Sequence, residues 1–554
     1  MTKKRILHFL PVLLIMLVAI YCRYRFNFFQ STITGDGVYY PLQVRSILEN
    51  FCLAIPDMPL YFYFTALVAK VLLLFNNSTP NETIILAVKI VDILIPVFSA
   101  VVVYFFIKQL KTKQDKYKFT DYLMIAFSVL ALPYISMVSG ELQKTAIGIV
   151  LIFSYLLLVY RYIEKKNLHI AKIAALLLLL AFIHFGSFTA VLLFTAILLI
   201  LNIKAVVKWF KAQDLKLKIV FAVGIVILFA GIFLFDSDRF MRLLLIPLNI
   251  FNDSEILFWM YGNNSFGPIG VFAIIINILA IIALITVIKN KNKISNGTYR
   301  YFLSLIVFAF VLAFPLFYYQ LFDRFLIYSF IPITIIYLML FRLIDTRVLK
   351  YISVPIFLLL LLYSVRVGLV GHKKPNISRE AYIELQTLKN KVSLKNNSVV
   401  IAGLRLYWWT AWEMKTHVSQ DYAITESDIE KYDAFYFVRQ ITEKEKLGNN
   451  LLDMEVDIPS TANLIYKGEN FEFYELLNKK DFKILPHKPP VVIGKISNIT
   501  NNRFTISNGK LNYVVDYEGS LGNLKNGNIV KVWGALRPIS TKIKAERIIT
   551  YQTN

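Results

Sequence analysis

The residues best placed for chemistry are ionisable side chains set in or beside long apolar runs. Such groups are costly to keep at membrane depth, so they mark a functional site by default. The richest stretch is Thr32-Ile-Thr-Gly-Asp36-Gly-Val-Tyr39-Tyr40-Pro-Leu-Gln-Val-Arg45, followed by Asp57-Met-Pro59-Leu-Tyr61. Further along come Lys89 and Asp92, Glu141 and Lys144, His184, Arg239, and the pair Asp323-Arg324. Carboxylates can take or give protons, and cations can hold an anion. Each group also has a purely structural explanation. Asp36 fits an Asx turn or a helix N-cap. Lys89 with Asp92, and Glu141 with Lys144, stand three apart and can pair on one helix face. His184 fits a hydrogen-bonded turn histidine, Asp57 an ordinary loop residue, and Arg324 an ion pair or an interfacial cation.

These groups must be positioned by membrane helices. Of the 554 residues, 57% are hydrophobic, and the mean hydropathy is +0.58. The excess lies in long runs before residue 371, several of which reach the ~20 residues needed to cross a bilayer. The expected spans are 6–22, 84–107, 121–138, 144–163, 168–184, 187–203, 218–236, 268–288, 301–319, 325–342 and 350–369, about eleven in all. A net charge of +24 invites a nucleic-acid reading. The clustered Lys and Arg sit instead in alternate short loops, as the positive-inside rule predicts. That rule puts the N-terminus in the cytoplasm and the C-terminus outside a cell (inner) membrane. Lys3, Lys4 and Arg5 precede an apolar run with no small-residue cleavage pattern, so the first helix is expected to be retained. The two cysteines, Cys22 and Cys52, fall on the outer side and make no disulfide framework, although a single bridge is open to them.

Residues 59–75 form an apolar run containing Lys70. A span there would turn the lysine-rich loop after Ile107 outward, so an interfacial helix inside a first outer loop, 23–83, is expected. A second outer segment, 236–267, is expected to carry another interfacial helix over Arg239–Phe251. Beyond residue 370 the chain reads as soluble. A small α/β unit covers 371–488, with strands at 398–403 and 433–438 and a helix at 425–432 capped by Thr425 or Ser427. Residues 489–554 show five short strands separated by Asn-Gly turns at 508–509 and 526–527. Their Gly-x-Ile … Val-x-Val-x-Gly pattern is similar to a small OB-fold barrel.

An outer loop with an early acidic residue, then x-Pro59-Leu-Tyr61 leading an interfacial helix, resembles the GT-C superfamily of membrane glycosyltransferases. That group includes protein mannosyltransferases, aminoarabinose transferases and oligosaccharyltransferases. Leu132-Pro133, His184 and Asp323-Arg324-Phe-Leu fit the same layout, and the resemblance covers residues 1–370. It implies a polytopic α-helical enzyme that passes a sugar from a polyprenyl phosphate to a glycan, lipid or protein acceptor outside the membrane. Asp36 is then the candidate catalytic base, and Gly35 and Gly37 let backbone and substrate approach closely. Many relatives carry paired acids or a basic residue ahead of a double proline. Here Asp57-Met58-Pro59 stands instead, and Asp57 becomes a second acid for acceptor or for a divalent metal ion. Arg324, Lys144, Arg45 and Arg239 are candidates for the donor phosphate, Arg324 first because it is expected at a helix start. Tyr39, Tyr40, Glu141, His184 and Asp323 are candidate substrate contacts. The aromatic run Tyr407-Trp408-Trp409 with Trp412 offers either sugar stacking or core packing. A flippase for lipid-linked glycans and a non-catalytic envelope assembly protein are the competing functions. No internal symmetry of the transporter kind is visible.

Overall fold

In a computed structural model, the described residues are 3–28, 38–75, 78–110, 116–165, 170–212, 214–235, 241, 268–314, 319–344, 347–371, 377–403, 406–441, 456–485, 490–500, 502, 503–507, 512–519, 521, 524–536 and 542–551. The chain divides into two compact units. One comprises Met1–Gln30, Gln43–Asn252 and Phe266–Lys373, and the other Ser31–Leu42, Asp253–Ser265 and Lys374–Asn554.

The first unit is helical. Among the described residues, seven of its helical stretches are long and apolar enough to cross a membrane: Phe9–Asn27, Pro80–Leu110, Phe119–Ser136, Gln143–Glu164, Gly270–Lys289, Arg324–Leu343 and Arg347–Val370. Helices also stand at the four other expected spans, namely Ile170–Ile183, Phe185–Leu201, Leu215–Phe235 and Asn296–Leu312. Two expected spans are not continuous helices. Pro96 lacks the N–H that an α-turn needs, and the backbone tightens into a 3₁₀ turn over Ile95–Val97 between Pro80–Leu94 and Phe98–Leu110. Ala131 likewise separates Phe119–Leu130 from the short Leu132–Ser136.

Residues 60–73 form a helix of 14 residues, shorter than the ~20 that a span requires. Tyr61, Phe62, Thr65, Ala66 and Ala69 face inward, while Leu60, Tyr63, Phe64, Leu67 and Val71 lie exposed along the opposite stripe. The expected second outer segment, 236–267, lies outside the described residues apart from Met241.

Close approach of helices is bought with glycine. A Cβ on Gly368 would lie 2.8 Å from the Cβ of Cys22, so helix Arg347–Val370 meets helix Lys3–Arg23 only because that side chain is missing. Cys22 is buried, Cys52 is exposed, and both are free thiols.

The second unit carries two β structures. The first is a five-stranded sheet of β1 (Ser398–Ala402), β2 (His417–Ser419), β3 (Ala434–Gln440), β4 (Ala462–Lys467) and β5 (Phe471–Leu476), in the order β2-β1-β3-β5-β4. Strand β1 pairs in parallel with both β2 and β3, and β5 pairs antiparallel with β3 and β4. Val399, Ile401, Phe435 and Phe437 turn one face of the sheet into a buried core. The helix after Thr425 is closed by a capping box between Thr425 and Asp428.

The second β structure is a closed barrel of β6 (Val492–Thr500), β7 (Arg503–Ser507), β8 (Asn512–Tyr517), β9 (Ile529–Leu536) and β10 (Lys542–Tyr551), ordered β10-β8-β7-β6-β9. Strands β8 and β10 are parallel, and the other neighbours are antiparallel. Alternate residues such as Phe504 and Ile506, or Val530 and Val532, fill the interior. Between them Lys531 points out of the barrel, yet it is buried and forms an ion pair with Asp421 beside the sheet. The backbone N–H of Asp457 also donates to Asp421 Oδ2 at 3.4 Å.

Candidate functional site

The helical unit gathers polar residues at the ends of several helices. Their placement starts with a buried network around Asp92. Its Oδ2 accepts from Asn27 Nδ2 at 3.0 Å and from the backbone N–H of Gly140 at 2.9 Å. Arg23, wholly buried, donates to the carbonyls of Tyr134 at 2.7 Å and Asp92 at 3.3 Å, and its guanidinium lies 4.5 Å from the centroid of the Tyr134 ring. Gly140 adopts φ +82, and a Cβ there would sit 2.6 Å from Asn27 Oδ1, so this turn requires glycine. The network fixes the turn leading into helix Gln143–Lys165, and that helix presents Lys144. Spacing suggested Lys89 as the partner of Asp92. The Oδ2 contacts from Asn27 and Gly140 come from residues that no periodicity links to it.

Lys144 forms a buried ion pair with Asp57, and its ammonium lies 5.2 Å from the Phe62 ring centroid. Spacing pointed to Glu141, which lies half-buried in the preceding turn; the structure adds Asp57, from the first long loop, as a partner of Lys144. Asp57 Oδ1 accepts from the Met58 N–H at 2.7 Å, and Tyr61 donates to Gln143 Oε1 at 2.6 Å. Two contacts in step thus dock the start of helix Leu60–Leu73 on the start of helix Gln143–Lys165. The turn before it is held by Gln43, which donates to the Ile55 carbonyl at 2.9 Å and accepts from its N–H at 3.2 Å.

The residue after Lys144 leads to His184. Thr145 Oγ1 lies 3.4 Å from His184 Nε2. His184 is the N-cap of helix Phe185–Leu201, and its Nδ1 accepts from the Ser187 N–H at 3.1 Å. Ser187 Oγ and Tyr328 Oη lie 2.9 and 3.3 Å from the same nitrogen and 3.1 Å from each other. The cap assigns the neutral tautomer, with the proton on Nε2. His184 therefore offers an N–H donor next to the Thr145 hydroxyl. Gly148 makes room for the cluster, since a Cβ there would fall 1.9 Å from Ser187 Oγ.

Tyr328 stands one helical turn after Arg324, which is exposed. Helix Tyr319–Leu343 begins five residues before Arg324. The unpaired N–H groups of its first turn therefore belong to earlier residues, and the expected helix-start placement of Arg324 is corrected: it is a cation on the side of a helix.

The structure thus pairs Asp57 with Lys144, sets His184 against Thr145, the next residue in the chain, and places Arg324 one turn from Tyr328. Thr145, Ser187 and Tyr328 escaped the sequence reading because hydroxyls in apolar helices usually bond their own backbone. The spacings His184-x-x-Ser187 and Arg324-x-x-x-Tyr328 were the available signals. Arg45 is buried on helix Tyr39–Asn50. Tyr39 and Tyr40 belong to the second unit. There the Tyr39 ring contacts Tyr40 at 5.6 Å and Trp408 at 4.9 Å. Asp36, Arg239 and the side chain of Asp323 lie outside the described residues. Among the described residues no three His, Cys, Asp or Glu side chains gather as metal ligands.

No protein family matches the chain by sequence, and no curated protein does. Among solved structures, it is similar to the Archaeoglobus fulgidus oligosaccharyltransferase crystallised with zinc and sulfate. The TM-score is 0.48 and the identity 11%, over 78% of this chain and 68% of that one. A likeness of that size carries no chemistry across to this chain.

Proposed function

We propose that this chain is an integral membrane glycosyltransferase of the GT-C type, moving a sugar from a polyprenyl-phosphate donor to an acceptor outside the membrane. The observation that carries the proposal is the convergence of Thr145, His184, Ser187 and Tyr328, with Lys144 next to Thr145 in the chain and Arg324 one turn before Tyr328. Hydrogen-bond donors and two cations at one edge of an apolar helical unit suit a phosphate attached to a lipid chain.

In the transfer, the acceptor hydroxyl attacks the anomeric carbon while Asp36 takes its proton. The bond from that carbon to the phosphate oxygen breaks, and the electron pair leaves with the lipid phosphate. Lys144, His184 and Arg324 stabilise the charge that develops there. Asp57 holds Lys144 in place. Asp57 would also be the acid to hold a divalent metal ion, should the transfer use one. Helix Leu60–Leu73 lies along the outer membrane face, its apolar stripe toward lipid. The three domains are 1–370, 371–488 and 489–554. The last is of OB type, which the closed order β6-β7-β8-β10-β9 supports.

The test uses wild type and Asp36→Asn in detergent, each given radiolabelled polyprenyl-phosphate sugars and a membrane extract as acceptor. Transfer by wild type, its loss in Asp36→Asn, and a raised donor KM in Arg324→Ala are the expected results. Full transfer by a folded Asp36→Asn protein would remove Asp36 as the base. Absence of transfer by folded wild type from every donor supplied would sink the enzymatic reading.

A further inference from the structure

A second polar feature lies away from this cluster, between helices Phe98–Leu110 and Gln143–Lys165. Phe106 and Tyr160 set the two helices side by side, their rings stacked at 5.3 Å with planes 21° apart. Next to this contact runs a groove of about 570 Å³. One helix contributes Val102, Phe105, Lys108 and, beside the cation, Gln109, and the other contributes Leu157 and Arg161. The order is the same on both: apolar residues first, then a cation near the C-terminal end. Ser154 also lines the groove, but its hydroxyl donates to the Val150 carbonyl at 2.9 Å, so it adds little polarity.

The two cations have no ion pair or hydrogen bond among the described residues. Glu164, the acid nearest to Arg161 in the chain, is engaged elsewhere: it accepts from Ser295 at 2.9 Å and from Thr298. Phe105 is 49% exposed, so the apolar wall is open. The groove therefore combines two available cations at one end with an apolar channel leading from them toward the middle of the helices. This is the polarity of a phospholipid, with an anionic head and a hydrocarbon tail. Long cations at helix ends often only reach for the interface. Here cations from two helices border one groove between the same two helices, which suits a single molecule in a fixed place.

We infer that this groove binds one anionic phospholipid, its phosphate between Lys108 and Arg161 and an acyl chain along Val102, Phe105 and Leu157. Basic pockets between membrane helices hold anionic head groups in this way. By the charge pattern of the loops, the site faces the inner leaflet. The inference does not rest on the proposed enzymatic activity.

The experiment is native mass spectrometry of the full chain in detergent with an equal mixture of phosphatidylglycerol and phosphatidylcholine. Wild type is expected to retain one phosphatidylglycerol in preference. The double variant Lys108→Gln, Arg161→Gln should lower that preference about ten- to thirtyfold. Val102→Trp, which fills the channel and leaves both charges, should lower it as well. Lys289→Gln, an exposed cation on another helix, should leave it unchanged. Thermal unfolding of each variant confirms that it is folded, and the double variant and Val102→Trp test the site independently. Equal retention in either variant would overturn the inference. So would displacement of the lipid by millimolar inorganic phosphate, which would mean an anion site without a tail channel.

Discussion

Tyr39 rests against Trp408, with ring centroids 4.9 Å apart and planes inclined at 60°. Tyr39 comes three residues after Asp36, and Trp408 is the second residue of a short helix, Tyr407–Met414, that follows strand β1. Tyr407 packs edge-on to Trp408 at 4.3 Å, while Trp409 turns inward against Tyr382 at 5.0 Å. The aromatic run thus splits its work. Trp409 and Trp412 are buried core, and Trp408, half-buried, holds the segment that follows the candidate base.

The Tyr39 and Trp408 rings should be energetically coupled. A double-mutant cycle with Tyr39→Ala and Trp408→Ala, read by unfolding, is expected to give about 0.5–1.5 kcal/mol beyond simple burial. Strict additivity would mean that the contact is incidental.

Breaking the buried pair should cost far more. Asp57→Asn or Lys144→Met alone leaves an uncompensated group in a closed site and is expected to destabilise by about 3–5 kcal/mol. Replacing both, as Asp57→Leu with Lys144→Met, should recover much of that stability and still lose transfer. Denaturation in detergent and the transfer assay together separate these effects. Retained transfer in the double variant would rule out a role for Lys144 at the phosphate.

Gly148→Ala places a methyl carbon 1.9 Å from Ser187 Oγ. Overpacking of this kind is expected to cost about 1–3 kcal/mol. It should also shift the His184 cluster, so transfer should fall by more than the loss of folded protein explains. Gly231→Ala, at a glycine with nothing near its missing Cβ, is the control that should be tolerated in both readouts.

Acid should weaken the sheet through Glu472. Burial pushes its carboxyl up, but hydrogen bonds from Arg439 and Tyr474 outweigh that, and the group titrates below its ordinary value. The unfolded chain then binds the proton more readily than the folded one. The stabilisation is complete above the usual glutamate range of about 4.3 and is lost as pH falls through the lower folded value. Unfolding of Glu472→Gln, followed from neutral pH downward, should show a flatter acid limb than wild type. An unchanged limb would assign acid sensitivity to other groups.

Much of the architecture could be read from periodicity. Each apolar run became a helix, and the alternation of Phe504 with Ile506 and of Val530 with Val532 foretold the barrel. Gly527, at φ +94, turns the chain where Asn526-Gly527 suggested a turn. Strands β4 and β5 were not anticipated, because β4 is largely exposed on both faces and carries no alternation. The candidate site was legible residue by residue but not as a set. Asp57 and Lys144 are 87 positions apart, and the Asp92 network joins parts of the chain that share no local pattern. Spacing finds neighbours on one helix; packing between helices chooses the partners.

The ion pair between Lys531 and Asp421 has a consequence for how the C-terminal region could have been assembled. A barrel cut away before Pro490 would carry an outward lysine adapted to burial, and the sheet left behind would keep a buried aspartate without its cation. Neither fragment would be an independent module. Limited proteolysis in the linker should yield two pieces that stay together on a sizing column, and a homologous barrel grafted here would need a cation at the position of Lys531. The two β structures are therefore expected to be inherited, and lost, together.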